Sequence, residues 1–290
     1  MSHPELIPGL AAVSGNYDAL LCDIWGVLHN GRQHFPPAYD AIRRFKAERG
    51  PVILISNSPR PRNDLIAQLA SLGIMDDGFS DVISSGDATR EYLRKFAPQG
   101  PAWRIGPARD DVLYADIDIT FTSSPEEAAF ISCSGPFDDE NDTLDQYQHA
   151  FTLAAQRKLV MVCANPDKVV QRGDKIIMCA GSLADLYASL GGPVIMAGKP
   201  YAPIYELCYA ALEKLTGMAA DKARILAVGD GLPTDVLGAN GQGLDLLFIA
   251  AGIHAAEATN EEGRLDPLML KALLDVQTAE AKYVADALRW

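Results

Sequence analysis

The sequence predicts an α/β fold: a doubly wound parallel sheet with a second α/β domain inserted in its middle. Three observations predict it. Short apolar runs alternate with longer amphipathic stretches along most of the 290 residues. Several of those runs close on a polar residue that a strand does not need. The alternation changes rhythm in mid-chain and resumes after the glycine pair at 191 and 192.

Tyr17 to Ile24 (YDALLCDI) reads as a buried strand, because a short continuous apolar run suits burial on both faces. Pro37 to Arg49 reads as a helix with Ala38, Ile42 and Phe45 on one side. Val52 to Ile55 is a second strand, Arg62 to Leu72 a second helix and Asp81 to Ile83 a third short strand. Such βα alternation implies a parallel sheet with helices on both faces. In the middle, Trp103 to Ile105, Ile117 to Thr120, Ala129 to Ser132 and Leu159 to Cys163 read as strands. Thr143 to Arg157 reads as a helix, preceded by an acidic stretch, Asp138 to Asp142, that reads as a solvated turn or helix start. Afterwards come strands at Val194 to Met196, Ile225 to Val228 and Leu246 to Ile249, with a helix from Ala202 to Leu215. The tail from Asp266 to Trp290 carries a helical pattern through Leu268, Leu270, Leu273 and Leu274. The expected division is residues 1–85 and 192–290 as the core and 86–191 as the insertion.

The formal charge is −13. Nucleic-acid binding needs clustered Lys and Arg, and the longest basic cluster here is Arg43, Arg44 and Lys46 on a helical pattern. Nucleic acid is therefore not an expected partner. No uncharged apolar run reaches the roughly 18 residues that span a bilayer, and the N-terminal segment lacks a secretory pattern. The five cysteines contain no CxxC pair and several lie in apolar runs, which predicts reduced, buried thiols and a cytoplasmic location.

The polar residues that close the runs carry the chemistry. Leu20-Leu21-Cys22 ends in Asp23, Ile53-Leu54-Ile55 ends in Ser56, and Leu226-Ala227-Val228-Gly229 leads to Asp230 and then Asp235. Gly198-Lys199-Pro200 stands between the last two runs. In open parallel sheets ligands sit beyond the carboxyl ends of the strands, so these residues are expected to meet. Singly, each reads as a turn former, a cap or a solvated lysine. Together, in this order, they fit one task. A phosphoryl group and a carboxylate nucleophile approach each other only with a cation between them. Asp23 and Asp230 offer the hard oxygens that Mg²⁺ prefers. Lys199 adds a fixed positive charge, Ser56 a hydroxyl donor, and the helix beginning near Ser58-Pro59-Arg60-Pro61 adds N–H groups that favour an anion. The expected reaction is attack by Asp23 on phosphorus, then hydrolysis of the aspartyl-phosphate.

These segments resemble the four motifs of the haloacid dehalogenase (HAD) superfamily: Asp23-Ile24-Trp25-Gly26-Val27-Leu28, then Ser56 in Leu54-Ile55-Ser56-Asn57-Ser58, then Lys199, then Gly229-Asp230-Gly231-Leu232-Pro233-Thr234-Asp235. Cys163-Ala164-Asn165-Pro166-Asp167 followed by Gly198-Lys199-Pro200 is similar to the class IIA, NagD-like branch. The resemblance covers roughly residues 17–255. It implies a Rossmann-like HAD core with an inserted α/β C2-type cap. It makes Asp23 the nucleophile and a ligand of Mg²⁺, with the backbone carbonyl of Trp25 and the carboxylate of Asp230 as further ligands. It gives Asp235 the support of metal waters or of Lys199, gives Ser56 and Lys199 the phosphate, and places Asn57, Asn165 and Asp167 at the substrate. A small phosphorylated metabolite is the expected partner, and a homodimer through the cap is the expected assembly.

One residue departs from the pattern. Phosphatases of this superfamily usually carry a second Asp two residues after the nucleophile, as general acid and base, and Trp25 stands there. Indole is neither acid nor base near neutral pH. General acid–base help is typically worth about 10²–10⁴-fold, roughly 3–5.5 kcal/mol. Three responses remain open: a leaving group that needs no acid, a substitute such as His29 or His34, or a site that binds a phosphorylated ligand without turning it over. A different bond, such as carbon–phosphorus, would need a cap lysine for which no strong candidate stands out. The indole itself is expected to pack against the cap.

Overall fold

The apolar runs form strands because they are buried on both faces, and the stretches between them close as helices over those faces. In chain order the elements are β1 (Glu5–Leu6), β2 (Ala19–Asp23), α1 (Pro36–Glu48), β3 (Val52–Ser56), α2 (Arg62–Ser71), β4 (Asp81–Ser84), α3 (Ser85–Phe96), β5 (Ala102–Ile105), β6 (Phe121–Thr122), β7 (Phe130–Cys133) and α4 (Asp145–Gln156). They continue with β8 (Met161–Cys163), β9 (Val169–Arg172), β10 (Lys175–Met178), α5 (Ala180–Ser189), β11 (Val194–Met196), α6 (Ala202–Thr216), β12 (Ile225–Gly229), α7 (Leu237–Gln242), β13 (Asp245–Ile249), α8 (Ala255–Ala258), α9 (Pro267–Val276) and β14 (Tyr283–Ala285). The structure, a computed structural model, describes residues 4–172, 175–250, 255–258, 260, 265–276 and 280–290.

The described residues fall into two compact units. The first holds those up to Ser56, Ile66–Ile83, and those from Tyr205 onward; the second holds those of Asn57–Leu65 and Ser84–Ile204.

In the first unit the strand order is β1-β14-β13-β12-β2-β3-β4, with neighbours from β1 to β3 paired in parallel. Every residue of β2, β3 and β12 is buried. That is why these strands read as unbroken apolar runs and not as alternating ones. β2 leads to β3 and β4 on one side, and β12 leads to β13 and β14 on the other. The direction of winding therefore reverses between β2 and β12, where ligands of such sheets bind. α1 begins on Pro36 and Pro37, whose fixed φ suits a first turn, and buries Ala38, Ala41, Ile42 and Phe45.

The second unit has its own parallel sheet, ordered β11-β8-β7-β5-β6, and an antiparallel hairpin of β9 and β10. Its strands alternate between two apolar faces. Trp103, Ile131, Cys133, Met161 and Cys163 join a cluster with Phe151 and Tyr187, whereas Ala102, Phe130 and Val162 join one with Leu93, Leu113 and Tyr114. The helix α3 starts on a capping box: Ser84 Oγ accepts from Asp87 N at 3.0 Å and Asp87 Oδ2 accepts from Ser84 N at 3.0 Å.

Two readings of the sequence are corrected. Ile117 to Thr120 is not a strand; the strand is Phe121–Thr122, paired with Ala102 and Trp103. Ile117 and Ile119 are half-buried and alternate with exposed Asp118 and Thr120, but they pack on the sheet from an irregular segment after Tyr114. The tail is not one helical pattern either. Its helix ends at Val276, and Tyr283–Ala285 form β14 between β13 and β1; residues 277–279 lie outside the described residues. All five cysteines are buried thiols. No helix among the described residues is long and apolar enough to cross a membrane.

Candidate active site

The first unit assembles three carboxylates at its switch point. β12 and β2 pair Val228 with Cys22, and β2 and β3 pair Asp23 with Ile55. Asp23 therefore ends its strand beside Gly229-Asp230, and Ser56 lies one residue beyond Asp23's partner on the other side. Asp235 returns to the same place from the turn after β12. Its Oδ2 accepts from Gly231 N at 3.0 Å, and its N donates to Gly231 O at 2.8 Å. One carboxylate oxygen from each of Asp23, Asp230 and Asp235 lies within 4.8 Å of the others, and all three residues are buried.

Ionised together, these carboxylates repel one another. Two like charges at 4.8 Å repel by about 3 kcal/mol even at a generous effective dielectric near 20. Hard, buried oxygens at this spacing fit a divalent ion of the Mg²⁺ kind, and the chain around them is shaped to the same end. Gly26 has φ +86°, and a Cβ there would meet Asp230 Oδ2 at 2.1 Å. Only glycine tolerates both the conformation and the approach. This brings the backbone at Gly26 directly against the Asp230 carboxylate.

Trp25 is half-buried, and its indole lies on its own loop. A Cβ on Gly31 would sit 2.5 Å from Trp25 Cη2, and the ring meets His29 edge-on with centroids 5.1 Å apart. His29 is buried and its Nδ1 accepts from Gly31 N at 2.9 Å. Burial pulls its pKa down from 6.5 to about 4. It is thus a neutral imidazole with its basic nitrogen engaged, holding the loop under Trp25. His34 Nδ1 is 2.7 Å from Leu72 O, so that nitrogen carries the proton, and the ring also packs edge-on against Tyr39. Both histidines considered as substitute acids are occupied by the loop and by the end of α2.

In the second unit, Asn57 organises Lys199 and Asp167. Asn57 Oδ1 accepts from Lys199 N at 2.7 Å, while its Nδ2 donates to Lys199 O at 3.1 Å and to Asp167 Oδ1 at 2.8 Å. Both amide hydrogens are thereby given to protein acceptors. Gly198 permits this: a Cβ there would meet Asn57 Oδ1 at 2.5 Å and Ser85 Oγ at 2.7 Å. Lys199 and Asn57 are each 3% exposed, which makes the lysine a buried charge and not the solvated one that a surface reading expects. Asn165 is half-buried, and its Oδ1 accepts from Asp167 N at 3.0 Å, so the two form one turn at the end of β8. The pairing of Asn57 with Asp167 was not legible in the sequence, where 110 residues separate them.

Residues 20–120 match the family described as haloacid dehalogenase-like hydrolase, and residues 196–288 match one described as HAD-hydrolase-like. A crystal structure of a hydrolase of the haloacid dehalogenase-like family from Brucella suis 1330 is 39% identical, with a TM-score of 0.86 over 98% of this chain and 100% of that one. The D-glycerol 3-phosphate phosphatase of Mycobacterium tuberculosis (strain ATCC 25618 / H37Rv) is 26% identical over 258 residues, 85% of this chain and 67% of its own length. The 5'-nucleotidase YutF of Bacillus subtilis (strain 168) is 22% identical over 248 residues, 85% of this chain and 92% of its own. With its carboxylate cluster at the β2–β12 switch point and these matches over most of its length, the chain belongs to the haloacid dehalogenase-like hydrolase family.

Proposed function

We propose that this chain is a Mg²⁺-dependent phosphatase that cleaves a small organic phosphate ester through an aspartyl-phosphate at Asp23. The observation that carries the reading is the buried set of Asp23, Asp230 and Asp235, with carboxylate oxygens within 4.8 Å. Relatives named for phosphatase and nucleotidase activity support the reaction class. They differ in the substrate their names give, so the name of neither fixes the substrate here.

Asp23, Asp230 and the Trp25 carbonyl would hold the ion, with Asp235 beside them. When bound, Mg²⁺ lowers the repulsion between carboxylate and phosphoryl group and stabilises charge on the transferring oxygens. Asp23 attacks phosphorus: one P–O bond forms to its carboxylate as the ester P–O bond breaks. Water then attacks the acyl phosphate and regenerates Asp23. Ser56 would donate a hydrogen bond to the phosphoryl group, and the buried charge of Lys199 would offset its anionic oxygens. Asn57 acts by fixing the peptide of Lys199. Asn165 and Asp167 are proposed substrate-facing residues of the cap, and a homodimer is the proposed assembly.

The leaving oxygen departs without an acid at position 25, so its proton comes from solvent. That favours substrates with a stable leaving group. Incubation with Mg²⁺ and a panel of phosphate esters tests the reading. Turnover above an Asp23→Asn control supports it, and none on any ester counts against it.

Trp25 favours a second reading, a protein that holds a phosphorylated ligand and releases it unchanged. Metal-dependent binding with ligand recovered intact after days would support that reading instead.

A further inference from the structure

The loop between β2 and α1 contains one of the two Asn-Gly pairs of the chain, Asn30-Gly31; the other, Asn240-Gly241, lies in α7. An asparagine followed by glycine can react with its own backbone. The glycine amide nitrogen attacks the side-chain carbonyl carbon, ammonia leaves, and water opens the resulting succinimide to aspartate or isoaspartate. The reaction needs the side chain folded over the next amide, donors on the side-chain carbonyl oxygen, and an acceptor for the amide proton.

The folded chain supplies all of these at Asn30. Its Oδ1 accepts from Arg32 N at 3.1 Å and from Gln33 N at 3.0 Å. These bonds make an Asx turn, which curls the carboxamide back over the peptide that follows it. The same N–H groups face the oxygen on which charge develops as Gly31 N attacks, at distances that suit an oxyanion. A backbone N–H only donates, so the contact of Gly31 N with His29 Nδ1 at 2.9 Å sets a ring lone pair on the proton that has to leave. Glycine at position 31 is enforced. Its φ is +82°, and a Cβ there would lie 2.5 Å from Trp25 Cη2 and 2.7 Å from Trp25 Cζ2. A side chain that would hinder ring closure is therefore shut out. Asn30 and Gly31 are half-buried while Arg32 and Gln33 are exposed, so water has access to the loop.

Asn240 is held differently. Its Oδ1 accepts from Glu280 N and its Nδ2 donates to Glu280 O, both at 2.8 Å. The carboxamide is tied at both ends to a distant backbone, away from Gly241 N, and the leaving nitrogen is itself bonded.

We propose that Asn30 is a self-modification site, at which Gly31 N closes on Asn30 Cγ in a loop already folded for the attack. The N–Cγ bond forms as the Cγ–Nδ2 bond breaks, and the Gly31 proton passes by way of His29 Nδ1 to the departing ammonia. Water then adds to one ring carbonyl. Opening at Cγ gives an aspartate that can accept both turn bonds. Opening at the main-chain carbonyl gives isoaspartate, which adds a methylene to the backbone before Gly31. Gly31 then loses its seat against Trp25, in the loop where Gly26 N donates to His29 O at 2.8 Å.

The full chain is held at neutral pH, native and in urea, and sampled over days. Peptide mapping by mass spectrometry, with isoaspartate resolved from aspartate, follows both sites. In urea the two share one dipeptide and serve as each other's reference. Asn30 is expected to react at least as fast in the native protein as in urea, whereas Asn240 is expected to slow at least tenfold on folding. His29→Gln keeps an acceptor for Gly31 N but no base, and is expected to slow Asn30 at least fivefold while leaving Asn240 unchanged. An Asn30 that folding protects, or native rates that are equal at the two sites, overturns the proposal. So does an Asn30 rate that survives His29→Gln. Should that variant not fold, the native and urea rates of the unaltered chain decide.

Discussion

Gly26 faces the carboxylate of Asp230 with no room for a side chain: a methyl group there would come within 2.1 Å of Asp230 Oδ2. The loop that follows Asp23 is therefore seated on the Asp230 carboxylate by its backbone. Gly26→Ala has to move one or the other, and φ +86° adds about 1–2 kcal/mol of strain. Turnover and Mg²⁺ affinity are expected to fall at least tenfold, with unfolding free energy down by only about 1–3 kcal/mol. Metal titration and urea unfolding on one preparation separate the two effects.

Removing a charge from the cluster should act in opposite directions with and without metal. Asp230→Asn relieves repulsion of about 3 kcal/mol per pair, so in chelator the variant should unfold at a higher temperature than the parent. In Mg²⁺ the parent gains RT ln(1 + [L]/Kd), which is about 2.7 kcal/mol at one hundred times Kd, and the variant gains little. Thermal unfolding in both conditions checks this. A parent that Mg²⁺ does not stabilise would contradict the cluster's assigned role.

Trp25 predicts a steep dependence on leaving group. Without an acid, alkyl esters should be cleaved far more slowly than aryl or acyl phosphates. Trp25→Asp is expected to speed alkyl phosphates by up to about 10²–10⁴-fold and to change acyl phosphates little. Rates on a series of esters of graded leaving-group pKa show whether the slope flattens.

His29 gives a pH signature of stability. Its folded pKa, about 4, lies below the ordinary 6.5, because burial disfavours the cation. Between those values the unfolded chain takes up a proton that the native one refuses. The stability is thus intact above pH 6.5 and lost as pH falls toward 4, by at most about 3 kcal/mol. Urea unfolding at pH 7.5 and 4.5 should show the loss, and His29→Gln should flatten this part of the profile.

Asn57→Leu should leave the Lys199 peptide and Asp167 without their shared partner. Three hydrogen bonds are lost, one to a carboxylate, for a destabilisation of about 2–4 kcal/mol. A raised KM for phosphate esters is expected beyond what the stability change explains. Lys199→Met, which removes the charge that Asn57 positions, should raise it further.

The parts of this molecule that the sequence disclosed are those with local causes. Asp23, Ser56 and Asp230 each follow a buried apolar run, and position after a strand is enough to bring them together in a parallel sheet. Asp235 stood out only as the acid that comes after Asp230 in the segment resembling the fourth motif, and its place in the carboxylate cluster required the turn through Gly231. What stayed hidden depends on distant partners. Tyr283–Ala285 is too short an apolar run to declare a strand and becomes one by pairing with β13. Ile117 and Ile119 mimic strand alternation while packing from an irregular segment. Arg109 and Arg172 look like ordinary surface arginines until Asp139 brings them to one oxygen.

The cation between carboxylates is tested most directly by turnover against free metal. Protein stripped with chelator is assayed on its best ester as Mg²⁺ is restored. The rate should fall to that of Asp23→Asn protein in chelator and recover saturably with Mg²⁺. A rate unchanged by stripping would mean that Asp23, Asp230 and Asp235 serve something other than a metal-assisted attack on phosphorus.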